Sequence, residues 1–210
     1  MKYAVIDTET SGLFDFSKPA DAEGQPRLAH LAVVLVGDDL AEESVIDFLI
    51  KPDGWSMSDE VVAINGLTNE MLAEKGIPIA EALAAYGKII DDGYVIVSFN
   101  AQFDTKVMRG EMRRAGIDDR FERTPNVCVM RALVDVCKIP KKTGRGHKFP
   151  KLSEACEFFG IKQPDAHSAT GDARSAFELL LKLHELRVCP EPAVFYAKTP
   201  PDGKAPAPGN

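Results

Sequence analysis

The chain opens with an apolar, β-rich segment that runs directly into acidic residues. Lys2–Thr8 is a nearly continuous apolar run, which is typical of a strand buried on both faces of a sheet. Asp7 and Glu9 stand at its C-terminal end, two residues apart, so their side chains project to the same side. Two neighbouring acids repel each other, a cost that is tolerable in a site for Mg²⁺ or Mn²⁺. D-x-E alone is not specific, because surface acids often show it.

The segments that follow predict a mixed sheet. His30–Val36 and Ser44–Ile50 are predicted strands, and the turn between them is short enough for an antiparallel hairpin. Helices then alternate with further strands, which predicts a parallel extension of this three-strand meander and an α/β fold class. The predicted helices are Asp59–Ile64, Ile79–Ile90, Gln102–Ala115, Leu152–Phe159 and Ala169–Arg187; Tyr94–Phe99 is a strand, and Val127–Val136 is a strand edge running into a helix.

Composition limits the class of protein. The 210 residues are 45% hydrophobic and 27% charged, as in an ordinary soluble globule of one domain. No apolar run reaches the roughly 18 residues of a membrane span, and Asp7 interrupts the N-terminus before a signal peptide could form. We therefore expect a cytoplasmic protein without a membrane partner. The four cysteines are far apart and contain no C-x-x-C pair, which predicts reduced core thiols.

The C-terminal segment differs in composition from the rest of the chain. From Cys189 onward it holds six prolines and few apolar residues. This composition predicts a tail over 188–210 without core contacts, either weakly ordered or docked on the surface. The folded domain would then cover residues 1–187.

Charge is distributed unevenly. The net charge is −7, yet Lys138–Lys151 holds six basic residues and no acid, so the remainder sums to −13. A basic segment beside an acidic body suits a protein that gathers an anionic chain and brings it to a carboxylate site loaded with metal cations. The alternative is a solvated lysine-rich loop.

Two further motifs carry candidate chemistry. Asp104 falls in the first turn of a predicted helix and can face the acids of the first strand across the end of the sheet; the alternative is an ordinary helix N-terminal charge. His167 and Asp172 are five residues apart at the start of the last helix. That spacing can put an imidazole on a loop above a fixed carboxylate, as metal-assisted attack by water needs. Lone loop histidines are usually just exposed, and we expect this of His30, His147 and His184.

Together, these motifs resemble a known family. D-x-E at Asp7 and Glu9, N-A-x-F-D at Asn100–Asp104 and H-x-A-x-x-D at His167–Asp172 resemble the three motifs of the DEDDh 3′–5′ exonucleases, the family of the proofreading epsilon subunit of bacterial DNA polymerase III. Two accessory segments agree, Ile64–Leu72 and Lys151–Cys156. The resemblance covers residues 1–187 and implies an exonuclease domain with a ribonuclease H-like fold. That fold is a five-stranded mixed sheet with one antiparallel strand and helices on both faces.

The resemblance also implies a mechanism. Two divalent cations, Mg²⁺ or Mn²⁺, would be held by Asp7, Glu9, Asp104 and Asp172, and His167 would be the general base. The enzyme would release nucleoside 5′-monophosphates from the 3′ end of a single strand, with DNA favoured. The implied substrate-binding residues are Thr8, Thr10, Leu13, Asn100 and Phe103, with core packing as the alternative for Leu13 and Phe103.

The sequence departs from the family in several places. Asn65 stands where many relatives have His, and the segment 138–150 looks longer and more basic than in compact members. The tail contains no sliding-clamp peptide, and no polymerase is attached, which argues against replicative proofreading, although a DNA polymerase remains a candidate partner. Three alternatives stay open: a phosphatase with an aspartyl nucleophile at Asp7, an RNA-trimming member of the same family, and a non-catalytic scaffold that binds a polymerase. The sequence leaves the oligomeric state open.

Overall fold

The computed structural model describes residues 1–163 and 168–194, and its framework is one five-stranded sheet. The strands are β1 (Tyr3–Thr10), β2 (Leu28–Val36), β3 (Glu42–Leu49), β4 (Val95–Ser98) and β5 (Asn126–Cys128), in the order β3-β2-β1-β4-β5. β2 is antiparallel to both its neighbours, whereas β4 is parallel to β1 and β5. The predicted meander, its parallel extension and the mixed five-stranded sheet are confirmed.

The helices lie close to the predicted ranges. They are α1 (Asp59–Asn65), α2 (Asn69–Lys75), α3 (Ile79–Asp91), α4 (Ala101–Arg114), α5 (Val129–Ala132), α6 (Val134–Cys137), α7 (Leu152–Phe159) and α8 (Ala169–Glu185). A short 3₁₀ turn covers Phe121–Arg123. Helix α2 was not predicted from the sequence. Its signal is the Thr68 N-cap, whose hydroxyl accepts a hydrogen bond from the Met71 N–H at 3.1 Å.

The two faces of the sheet each carry a hydrophobic core, so β1 is buried on both sides. Tyr3 and Val5 point into the core that contains the buried residues of α8. Ala4 and Ile6 point into the opposite core, formed with α3 and α4. Because side chains alternate along a strand, Asp7 and Glu9 continue on the α8 side and Thr8 on the α4 side.

The acids lie in a part of β1 that extends beyond its parallel neighbour. β4 pairs with β1 only from Tyr3 to Val5, whereas β2 stays paired with β1 as far as Thr10. Asp7 and Glu9 were expected at the end of the strand, but they lie within this overhang. Their backbone is therefore held by β2, while the side toward β4 is open to groups from α4.

None of the three histidines expected to be simply exposed is so: His147 is partly buried and lies 3.7 Å from Asp135, and the other two lie inside regular elements. His30 is buried in β2, and its ring is hydrogen-bonded to Asp47 of β3. His184 is partly buried and packs edge-on against Tyr3, with ring centroids 5.6 Å apart. The expectation fails here because both residues lie inside regular elements, where neighbouring strands and helices cover them.

The first residues of the tail contact the folded body. Ala193 forms a backbone bridge with Asn126 of β5, with N–H to oxygen distances of 2.9 and 3.1 Å, and Cys189 packs against the core. The predicted lack of core contacts is therefore wrong for this part; residues 195–210 lie outside the described range. The other three cysteines are buried free thiols, as expected. No helix in residues 1–163 and 168–194 is long and apolar enough to cross a membrane.

Candidate active site

Three carboxylates from two distant parts of the chain meet above the overhang of β1. Asp7, Glu9 and Asp172 each offer one carboxylate oxygen, and these atoms lie within 4.8 Å of one another. Asp7 and Glu9 are on the α8 side of β1, and Asp172 is in the first turn of α8. The Ser168 hydroxyl caps that turn by accepting a hydrogen bond from the Gly171 N–H at 3.1 Å. The structure thus brings together three of the four predicted acidic residues.

Asp104 lies on the other side of β1 and is held by hydrogen bonds. It is only 3% exposed. One carboxylate oxygen accepts bonds from the Thr8 N–H at 3.0 Å and the Thr8 hydroxyl at 2.7 Å. The other oxygen accepts a bond from the Ser98 hydroxyl. Because β4 does not reach Thr8, Asp104 occupies the place of a strand partner. Its burial and these bonds argue against an ordinary charge at a helix N-terminus.

The crowding of these acids favours their protonated forms. Burial, followed by the charges of Asp104, Asp172 and Glu9, raises the pKa of Asp7 well above its ordinary value. Burial and the charge of Asp172 raise the pKa of Glu9 to about 7. Burial raises the pKa of Asp104 to about 6, against the opposing effect of its bonds from Ser98 and Thr8. A site that must hold these groups ionised near neutral pH needs a cation.

The donor set fits a hard divalent cation. The cluster of Asp7, Glu9 and Asp172 presents only carboxylate oxygens, which are ligands that Mg²⁺ and Mn²⁺ prefer. Asp104 is not part of this group of three, but its charge contributes to the raised pKa of Asp7. Asp7 therefore interacts with all the other acids of the site.

Asn65 is a site residue whose contact the sequence did not reveal. It is the last residue of α1, and its side chain donates a hydrogen bond to the Glu9 carboxylate, which opposes the rise in the pKa of Glu9. Its side-chain oxygen accepts a bond from the Leu67 N–H at 3.1 Å. The only signal in the sequence was the departure from the family's His at this position.

Leu13 and Phe103 were predicted to contact substrate, and they differ in burial. The Leu13 side chain is 90% exposed in the loop after β1. Phe103 is partly buried and packs edge-on against Phe14, with ring centroids 5.8 Å apart. Leu13 is therefore free to meet a ligand, whereas much of Phe103 is occupied by core contacts.

The polar residues predicted to bind substrate already have partners. Both donors of Thr8 bind Asp104. The Thr10 hydroxyl donates to the Gly12 carbonyl at 2.6 Å. The carbonyl of Asn100, which precedes α4, accepts the Phe103 N–H at 2.8 Å. His167, the predicted general base, lies outside the described residues.

Comparison with known proteins agrees with this geometry. The sequence model of the RNase_T family, described as Exonuclease, matches residues 4–180. A PolC-type DNA polymerase III from Caldanaerobacter subterraneus subsp. tengcongensis is 21% identical over 184 residues, which are 88% of this chain and 12% of the polymerase.

Solved structures share the fold. Escherichia coli exonuclease I in complex with a dT13 oligonucleotide superposes with a TM-score of 0.71 at 20% identity, covering 89% of this chain and 42% of that one. The nuclease domain of 3′hExo, a DEDDh family member bound to rAMP, gives a TM-score of 0.70 at 14% identity and covers 91% of this chain and 96% of that domain. The predicted ribonuclease H-like fold is confirmed.

The sheet topology and the solved structures define a ribonuclease H-like fold. The family model matches most of the chain, and the chain belongs to the exonuclease family.

Proposed function

We propose that this protein is a metal-dependent 3′–5′ exonuclease that removes nucleoside 5′-monophosphates from the 3′ end of single-stranded DNA. The observation that carries the proposal is the convergence of Asp7, Glu9 and Asp172, whose carboxylate oxygens lie within 4.8 Å of one another. Mg²⁺ or Mn²⁺ bound there would activate water and neutralise charge on the scissile phosphate.

Each acidic residue has a role that follows from its surroundings. Asp7, Glu9 and Asp172 would hold the cation, because their oxygens form one group. Asp104, fixed by Thr8 and Ser98, would serve a second ion. Because the protein fixes these groups in place, the site is already arranged for the reaction before the substrate binds.

His167 is proposed as the general base. An imidazole with an ordinary pKa near 6.5 is largely neutral at pH 7, so it can accept the proton of the attacking water. Its place four residues before Gly171, at the entry to α8, puts it next in sequence to the helix turn that carries Asp172.

The terminal nucleotide needs apolar and polar contacts beside the acids. We assign the exposed Leu13 side chain and the exposed part of Phe103 to the terminal bases; stacking of a base on an aromatic side chain is worth about 1–3 kcal/mol. Thr10 and Asn100 flank the site as candidate polar contacts. Thr8 acts by positioning Asp104, because that carboxylate uses both of its donors.

DNA is the favoured substrate, and RNA is the second candidate. Exonuclease I is known in complexes with dT13 and dA16 oligonucleotides, and the curated relative is a DNA polymerase. RNA is supported by the 3′hExo nuclease domain, which was bound to rAMP and is covered over 96% of its length. The PolC relationship also makes a DNA polymerase the first protein partner to test.

The test is digestion of matched 5′-labelled single-stranded DNA and RNA with Mg²⁺ or Mn²⁺. We expect a ladder that shrinks from the 3′ end, with the DNA ladder the faster. Asp7→Ala should give no ladder. Glu178→Ala, which removes an exposed acid from α8, should leave it unchanged. If the wild-type protein degrades neither strand with either metal, the exonuclease proposal fails, and the scaffold alternative is favoured.

A further inference from the structure

The basic segment between α6 and α7 folds as an ordered hairpin, which we call the basic hairpin (residues 138–148). The Lys148 N–H donates to the Ile139 carbonyl at 2.8 Å, and the Lys141 N–H donates to the Gly146 carbonyl at 3.1 Å. These bonds tie the two arms of the hairpin together. Its side chains are therefore presented by a defined backbone.

Two basic side chains of the hairpin have acidic partners, and the other four do not. Lys148 forms an ion pair with Glu154, and His147 lies 3.7 Å from Asp135. Within the described residues, the other basic side chains are exposed and have no carboxylate at ion-pair distance. They are Lys138, Lys141, Lys142 and Arg145.

Lysines without an ion pair also occur elsewhere in the described residues, for example Lys2, Lys51 and Lys75, but the four unpaired cations of the hairpin lie within eight residues of sequence. Seven arginines outside the hairpin have a carboxylate within 3.9 Å: Arg27, Arg109, Arg113, Arg114, Arg120, Arg123 and Arg174. In a protein of net charge −7, acids are available to pair with cations on most surfaces. Four neighbouring cations without partners therefore form a positive patch that an external anion can use.

An exposed aromatic side chain stands beside the patch. Phe149 directly follows the hairpin and is 54% exposed, and the Arg131 guanidinium lies 5.8 Å from its ring centroid. Cations that meet phosphates and an aromatic ring on which a base stacks are the combination that binds single strands without sequence preference.

The hairpin is joined to elements of the acidic site. α5 begins directly after β5, at the end of the sheet where the parallel strands finish. α7 follows the hairpin and packs on α8. Its buried Cys156 belongs to the same hydrophobic core as Ala173 of α8, the residue after Asp172. A strand whose 3′ end lies at Asp172 can thus continue along α7 toward the hairpin.

We propose that the basic hairpin and Phe149 bind the part of a single-stranded nucleic acid that lies upstream of its 3′ end. This inference rests on the proposed exonuclease function. Because the hairpin lies outside the reaction centre, it should contribute to the binding of long strands but not to the hydrolysis of a dinucleotide. This difference makes the inference testable.

The test compares a long oligonucleotide with a dinucleotide. The four unpaired cations are replaced together as Lys138→Gln, Lys141→Gln, Lys142→Gln and Arg145→Gln. The matched control removes four cations near the opposite end of the sheet, as Lys2→Gln, Lys88→Gln, Lys182→Gln and Arg187→Gln. Both variants carry the same net charge, although Lys88 and Lys182 of the control also have acidic partners, Asp92 and Glu185.

For the long strand, we expect the hairpin variant to have a higher KM and a weaker salt dependence. If all four cations meet phosphates, the slope of log affinity against log salt falls in magnitude by about 2.8, or roughly 50-fold between about 50 and about 200 mM salt. Hydrolysis of the dinucleotide should stay at the wild-type level. The control variant should show a markedly smaller change in slope.

Phe149 gives an independent test that removes no charge. Phe149→Ala should weaken binding of the long strand about five-fold or more, and Phe149→Trp, which keeps a stacking surface, should restore it. The inference is overturned if the hairpin variant has the same salt slope as the control, or if it loses dinucleotide hydrolysis equally. Absence of hydrolysis of both substrates by the wild-type protein would instead refute the proposed function.

Discussion

The substitution Glu9→Gln should stabilise the metal-free protein at high pH. The fold raises the pKa of Glu9 from 4.5 to about 7 through burial and the charge of Asp172. At 1.36 kcal/mol per pKa unit, ionised Glu9 then costs the folded state about 3 kcal/mol. Glutamine has nearly the same shape and still accepts the Asn65 hydrogen bond, but it carries no charge.

The sign follows from proton linkage. Between about pH 4.5 and 7 the folded protein binds more protons at Glu9 than the unfolded chain does, so the free energy of unfolding falls as pH rises through this window. The cost is absent below pH 4.5 and complete above pH 7. Glu9→Gln should therefore match the wild type near pH 4.5 and exceed it at pH 8.

The assay is thermal unfolding in EDTA across this pH range. A gain of about 3 kcal/mol corresponds to a rise in Tm of about 6–12 °C for a chain of this length. This is an upper value, because the ionisation of Glu9 and that of Asp172 depend on each other. Glu178→Gln, at an exposed position on α8, should show no pH-dependent gain. With Mg²⁺ present, the order should reverse, because the wild type alone keeps the full ligand set. A Glu9→Gln protein no more stable than wild type at pH 8 in EDTA would refute the crowding of charge at this site.

Four substitutions probe the site and its supports. Asn65→Ala should weaken Mg²⁺ binding, measured by calorimetry, because Glu9 loses its side-chain hydrogen bond; Mg²⁺ affinity equal to wild type would exclude this positioning role. Thr8→Val removes one donor to buried Asp104 and should lower the free energy of unfolding by about 1–3 kcal/mol, checked by urea denaturation; no loss would show that this bond is replaceable. His167→Ala should keep metal and strand binding but lose turnover. Asp7→Ala should lose metal binding, and equal metal affinity in wild type and Asp7→Ala would contradict the assignment of Asp7.

The sequence predicted most of the fold because its local patterns agree with the tertiary structure. The apolar run of β1 marks a central strand, and the two-residue spacing of Asp7 and Glu9 places both acids on one face. α2 was missed because it is short and buries little more than Leu72. The docking of Ala193 on β5 was missed because it is a backbone pairing that composition does not encode.

The acidic residues of the candidate site were predictable from the sequence, but the groups that support them were not. Asp172 could be grouped with Asp7 only through the spacing of motifs that a known family shares. The bonds from Thr8 and Ser98 to Asp104 depend on β4 ending before the overhang of β1. Where a strand ends depends on its pairing with the neighbouring strand, so neither segment alone predicts it. The contact of Asn65 with Glu9 likewise depends on where α1 packs.

The carboxylates proposed to hold the metal weaken the fold in its absence. Asp104 is supplied with three hydrogen bonds, so its pKa rises only to about 6, whereas the pKa of Asp7 is raised well above its ordinary value by burial and three acidic neighbours. Cation binding therefore relieves Asp7 most, and binding to the folded state alone adds stability by mass action. Substitutions that remove charge from the cluster should consequently stabilise the metal-free protein and abolish the reaction together. Stability of the metal-free protein and activity oppose each other in this way whenever a site holds its metal ligands in place before the ion binds.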